Sequence, residues 1–187
     1  MDRVTCVQTI LSTPTSANDQ WKETKNAIEA FRQQYIKDGM SDLEKEIRII
    51  EWLVGNCSYE KGEDWSRGTA YSCIVLGKAQ CSGYADAFLQ TAKLCGLDVR
   101  YVYNERHAWN LVKLDGDWYH VDVTWEDPIG KQNYGFGNLS NRYINLTDDQ
   151  IRAVEYHSTW ETPELAAAGT KYGPAVVAEC LAKESRQ

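Results

Sequence analysis

The hydrophobic period of this chain changes at Gly96, and that change limits the folds open to it. Before Gly96, apolar residues recur at helical spacing. Trp21, Ala27, Ile28, Phe31, Tyr35 and Ile36 form one set, Leu43, Ile47, Ile50 and Val54 a second, and Ala85, Phe88, Leu89, Ala92 and Leu94 a third. After it, Val99, Tyr101 and Tyr103 alternate with other residues, as the two-residue period of a strand requires. Helices first and strands after predict an α+β domain, with N-terminal helices packed on a small antiparallel β-sheet.

Local signals set the expected boundaries. Ser16 to Asp19 offers N-cap residues for a helix from Gln20 to about Lys37, ended by Asp38-Gly39. Ser41 with Glu44 is a capping-box pattern opening a helix from Asp42 to Val54. Residues 57–68 read as a loop carrying Tyr59 and Trp65, Thr69 to Leu76 as a short helix, and Ser82 to Cys95 as a buried helix stopped by Gly96. Asp115-Gly116 is a strong hairpin signal between strands His107–Leu114 and Asp117–Thr124. Beyond it come a loop from Pro128 to Gly137, a short strand Arg142–Asn145, a helix Asp148–Val154 capped by Thr147, and an Ala-rich segment 163–187, helical or frayed. With 187 residues and no internal repeat, residues 19–187 suit one domain, and residues 1–18 read as an N-terminal tail or linker.

Composition narrows the functions. Twenty Lys and Arg against 27 Asp and Glu leave a net charge of −7, unfavourable for non-specific nucleic-acid binding or an anionic membrane. No apolar run approaches the roughly 18 residues of a membrane span. No signal peptide is visible; if the chain is a piece of a longer protein, a secreted or cell-surface place is favoured over the cytoplasm. Six cysteines without a CxxC pair argue against zinc ribbons and thioredoxin-type sites, and mostly free thiols are expected. These cysteines, three histidines and scattered carboxylates make no metal motif, so no metal and no cofactor is expected. Seven Trp and eleven Tyr against three Phe suggest an aromatic recognition surface. The expected groove is lined by Trp109, Trp118 and Trp125, with Tyr59 and Trp65 facing it.

The chemistry concentrates between Cys81 and Asp122. Cys81 follows a turn and opens a helix, where the macrodipole favours thiolate. Ser82-Gly83 is small enough to admit another chain closely. A turn pairing Leu114 with Asp117 carries His107 opposite Thr124 and Trp109 opposite Asp122. His107 and Asp122 then share a face as diagonal neighbours, roughly 7–8 Å apart at the backbone. A carboxylate there fixes one ring nitrogen of His107 and leaves the other for a thiol. His120 shares that face and is the rival base, whereas Asn110 points to the other face. His157, far along the chain, is expected to be structural. A Cys, His and Asp set implies acyl transfer through a thioester. The oxyanion donors would be the Cys81 N–H and a phenol or indole from Tyr59 or Trp65.

Three blocks carry a resemblance: Gly77-Lys78-Ala79-Gln80-Cys81-Ser82-Gly83-Tyr84-Ala85, His107-Ala108-Trp109-Asn110, and Trp118 through Pro128. In this order, over roughly residues 45–160, the chain resembles the bacterial transglutaminase-like superfamily. The resemblance implies a papain-like, transglutaminase-core fold with the order Cys, His, Asp. Cys81 would be the nucleophile, His107 the base and Asp122 the orienting carboxylate. Gln80 departs from the small or branched apolar residue expected before the nucleophile. The family includes transglutaminases, peptidases, amidases, deamidases and inactive members, so it implies a scaffold and a triad without a substrate. The expected activity is thiol-dependent hydrolysis or acyl transfer at peptide or isopeptide bonds of a protein, peptide or cell-wall peptide. The alternative is a catalytically idle peptide- or cell-wall-binding module.

Overall fold

The computed structural model describes residues 16–62, 65–127, 139–161 and 164–184. Helix α1 (Ala17–Tyr35) starts at the Ser16 cap and buries Thr24, Ile28 and Phe31. It begins ahead of the predicted Gln20, so the end of the expected tail is already helical; residues 1–15 lie outside the described residues. Helix α2 (Asp42–Asn56) carries the predicted capping box, with Ser41 and Glu44 bonded in both directions. Phe31 stacks on Trp52 at 4.4 Å between ring centroids, joining the two helices. In place of the predicted loop, β1 (Ser58–Tyr59) pairs in parallel with β2 (Lys78–Ala79), and a 310 turn (Trp65–Gly68) and α3 (Ala70–Ile74) lie between them.

Helix α4 (Cys81–Leu94) is the central element, followed by β3 (Asp98–Tyr103), β4 (Ala108–Leu114) and β5 (Asp117–Val121) in a meander. The hairpin register is the predicted one where the strands pair, from Leu114↔Asp117 to Asn110↔Val121. Asp115 and Gly116 both hold positive φ, 49° and 98°, the two-residue turn that matches strand twist. The pleat divides β4. Val112 and Leu114 join the main core with Phe88 of α4 and Ile47 and Ile50 of α2. Trp109 and Leu111 face the other way, into a second cluster with Val102 and Ala167. Asn110, on the α4 side, donates to the Ala85 carbonyl at 3.1 Å. Both faces of β4 are covered, so its residues are nearly all buried.

Two expectations about strands need correction. β5 ends at Val121, not Thr124, because Asp122 caps a short helix α5 (Val123–Glu126) and turns the chain off the sheet. Residues Arg142–Asn145 form no strand; the buried carboxylate of Glu126 accepts from the N–H groups of Asn141 and Tyr143 and from Ser140, and only Leu146 bridges to the sheet, at His120. Helices α6 (Asp148–Arg152) and α7 (Pro174–Glu184) complete the fold. The predicted loop Pro128–Gly137 lies outside the described residues. Among the described cysteines, Cys57, Cys73, Cys81 and Cys95 are free thiols. No described helix is long and apolar enough to cross a membrane.

Candidate active site

Cys81 is the first residue of α4, one position earlier than the predicted helix start. Its N–H therefore has no carbonyl to pair with inside the helix, and its thiol stands at the positive end of a 14-residue dipole. Two contacts seat this helix start. Gln80 donates its backbone N–H to the Arg67 carbonyl at 2.9 Å. Its side-chain amide reaches the Gly62 carbonyl at 2.6 Å, which ties the loop after β1 down beside the thiol. This use of Gln80 explains a long polar residue where a small one was expected.

His107 closes a tight turn just before β4. The Asn104 side-chain oxygen accepts the N–H of Arg106 and of His107, both at 2.9 Å, and the Asn104 N–H donates to the His107 carbonyl. Asp122 lies just past β5. As cap of α5 it accepts the Trp125 N–H on Oδ1 at 3.1 Å, which turns Oδ2 toward His107 Nε2 at 2.5 Å. Cys81 and His107 line the same cleft, near enough for the ring to bear on the thiol. The structure thus brings together the sulfur, imidazole and carboxylate that the sequence placed on one line.

The electrostatics follow from that line. Burial is the largest influence on Cys81 and pushes the thiol up. The hydrogen bond and charge of His107, with backbone N–H groups of Ala108 and Ser82, outweigh it and hold the thiol below its ordinary value. Burial likewise pushes His107 down, but the Asp122 bond and charge, then Cys81, raise it to about 9. Asp122 is fully buried, yet the hydrogen bonds and charges of His107 and His157 hold its carboxyl below the usual range. A thiolate facing an imidazolium is the form these groups favour.

Other expectations part from the structure. Trp109 lines no groove: it is 0% exposed, and its indole N–H donates to His120 Nδ1 at 2.9 Å. Trp118 shares the sheet face of Trp109 but lies toward the hairpin, packed on the second cluster with the cations of Arg100 and Lys113 near its ring. His120 is no base for Cys81, because Trp109 and Asp148 occupy both its ring nitrogens and burial pushes it down to about 4. The Trp65 side chain lies outside the described residues. His157, expected to be structural, is buried with its Nε2 2.8 Å from Asp122 Oδ2, a contact the sequence did not anticipate. The available signal was weak: all three histidines are buried, and a buried imidazole needs partners.

A cleft of about 490 Å³ opens over Cys81 and His107. Tyr59, Trp125 and Tyr156 form aromatic walls, and Lys61 and Arg106 bring cations to it. Of the three expected groove tryptophans only Trp125 reaches it, while Tyr59 lies in it as expected. A larger hollow, about 600 Å³ among α1, α2 and α7, includes Cys180 but no histidine. The side-chain nitrogen and oxygen atoms of His107, Asp122 and His157 lie within 4.8 Å of one another. The direct contacts of 2.5 and 2.8 Å are of hydrogen-bond length.

The family model for the transglutaminase-like superfamily matches residues 29–123, which include Cys81, His107 and Asp122. Kyphoscoliosis peptidase of Homo sapiens is 25% identical over 121 residues, 54% of this chain and 18% of that protein. The Mus musculus kyphoscoliosis peptidase is 26% identical over 144 residues, 66% of this chain and 22% of that protein. The chain spans about a fifth of the length of these curated relatives. Among solved structures, a TGase crystal structure overlays with a TM-score of 0.48 at 17% identity, over 69% of this chain and 37% of that one.

Proposed function

This chain belongs to the transglutaminase-like superfamily, and from that premise we propose that it is a thiol-dependent enzyme acting on peptide or isopeptide amide bonds through Cys81, His107 and Asp122. The Cys81 thiolate adds to an amide carbonyl carbon. The oxyanion is received by the Cys81 N–H and the Tyr59 phenol. His107 gives its Nδ1 proton to the leaving amine as the C–N bond breaks, leaving a thioester. Water or a second amine, deprotonated by the same nitrogen, then releases the acyl group and regenerates the thiol. Asp122 keeps the ring oriented and its charge matched through both steps. The substrate is a protein or peptide chain, a cell-wall peptide included.

The observation that carries this reading is one continuous line: a helix-start thiol beside His107 in an open cleft, and His107 bonded to a buried Asp122 at 2.5 Å. The test is mass spectrometry of a glutamine-containing protein incubated with the chain, with and without a primary amine. Deamidation, amine incorporation or fragments, each abolished in Cys81→Ala, support the proposal. No product from the wild type, with a Cys81 no more reactive to alkylation than a free thiol, would overturn it and leave a binding module.

A further inference from the structure

We propose that His157 is a positioning residue of this site, completing a buried row of Cys81, His107, Asp122 and His157 in which charges alternate and cancel. The inference rests on the proposed thiol chemistry and assigns it a fourth participant. His157 is fully buried, and its Nε2 meets the same Asp122 oxygen that His107 uses, at 2.8 Å. Its Nδ1 lies 2.7 Å from the Glu155 carbonyl oxygen. A carbonyl only accepts, so Nδ1 carries a proton. In a neutral ring Nε2 would then be bare, its lone pair facing a carboxylate oxygen. A 2.8 Å contact needs a proton in it, and with that proton the pair is an imidazolium on a carboxylate.

The charge count follows. Thiolate, imidazolium and carboxylate alone would leave one uncompensated negative charge in a water-poor interior, where it is disfavoured. His157 cancels it. It also occupies part of Asp122 Oδ2, so that oxygen pulls less strongly on the His107 proton and leaves His107 a better acid toward a departing amine. The titratable groups facing His157 are Asp122 and His107, whose ring centroid is 4.8 Å away, edge-on; His120, beyond Trp109, feels its charge.

The backbone is arranged to deliver this ring. Tyr156, the residue before it, holds φ +68°, a left-handed conformation that a non-glycine residue adopts only at a cost. The Asn104 amide holds it there, donating to the carbonyls of Tyr156 at 2.7 Å and Thr159 at 2.8 Å. The other end of that amide anchors the His107 turn. One side chain therefore ties together the segments of both histidines that meet on Asp122. Such over-determined strain is characteristic of functional sites.

The test compares wild type, His157→Gln and His157→Leu by the pH dependence of Cys81 alkylation, by melting, and by kcat and KM. The Gln amide can still donate to Asp122; Leu cannot. In His157→Leu, alkylation near neutral pH should slow and kcat should fall, each roughly 10- to 100-fold, with KM little changed. His157→Gln, which restores the donor without the charge, should recover only part of both, and full recovery by Gln would overturn the charge role. A folded His157→Leu with wild-type alkylation and kcat would overturn the inference and leave the triad standing. A wild-type Cys81 with no enhanced alkylation would instead sink the triad itself. If His157→Leu does not fold, nitrogen-15 spectra of ring-labelled wild type decide: two protonated nitrogens at His157 near neutral pH support the inference, and a bare Nε2 overturns it.

Discussion

Gly83 lies so close to Arg67 that a Cβ added to it would stand 2.5 Å from the Arg67 carbonyl oxygen. The same Cβ would meet the Ala79 methyl at 2.9 Å and the Thr69 carbonyl at 3.1 Å. Two of these three atoms are backbone and cannot rotate away. The first turn of α4 and the 310 turn Trp65–Gly68 are thus fitted to each other by the absence of one carbon. Gly83→Ala should destabilise by about 1–3 kcal/mol, as overpacking does. Because α4 also carries Cys81, kcat should fall by more than the lost folded fraction explains, which melting curves and kinetics at a temperature well below Tm will separate.

Asp122→Asn keeps a cap that can accept the Trp125 N–H, so α5 should survive. Its amide brings a donor and no charge to His107 and His157. Turnover should drop roughly 10³- to 10⁴-fold, and a stable acyl-enzyme mimic or inhibitor should still bind. Wild-type turnover would place the orienting role on another residue.

The pH profile has a definite sign. His107 is raised in the fold to about 9, above the value near 6.5 of an unfolded histidine. Its contribution to stability is fully present below pH 6.5 and is lost as pH rises through about 9. The imidazolium needed to protonate the leaving amine disappears over the same upper range. The alkaline limb of kcat/KM should therefore fall near pH 9, accompanied by a declining Tm, measured on one set of buffers.

Glu46 supplies an independent test far from the thiol. Burial pushes its carboxyl up to about 8, against a lesser downward pull from the Asn145 amide at 3.0 Å. The fold therefore holds a proton that the unfolded chain has lost above about pH 4.3. Its stabilising effect is complete below that value and is lost as pH rises through about 8. Glu46→Gln can keep the Asn145 bond without the proton, so it should melt several degrees above wild type at pH 8, the gap shrinking toward pH 4.5. At about 2–4 °C per kcal/mol for a chain of this size, calorimetry resolves the difference.

Local rules carried the sequence reading a long way and then stopped for identifiable reasons. Asp115-Gly116 allows little freedom in its hairpin, so the register followed, and with it the shared face of His107 and Asp122. Asp122 reads as a strand residue from the sequence although Asp is a good helix cap, because four residues of helix are too few to show a period. Trp109 reads as a groove residue because nothing periodic announces that the segment around Trp160 and Ala167 covers that side of β4. His157 reaches Asp122 across 35 positions. Only the folded backbone, with its left-handed Tyr156 and the Asn104 bonds, makes that link, and no pattern of apolar spacing encodes it.

The segment that matches the family ends at residue 123, while the ring that shares Asp122 with His107 arrives from residue 157. A protein trimmed to the matching stretch would retain a sulfur, a base and an acid in the right order and still lack the counter-charge beneath them. For engineering, the smallest working unit must consequently reach past the Asn104 tether and on through α7, whose Val177 and Leu181 are buried in the main core.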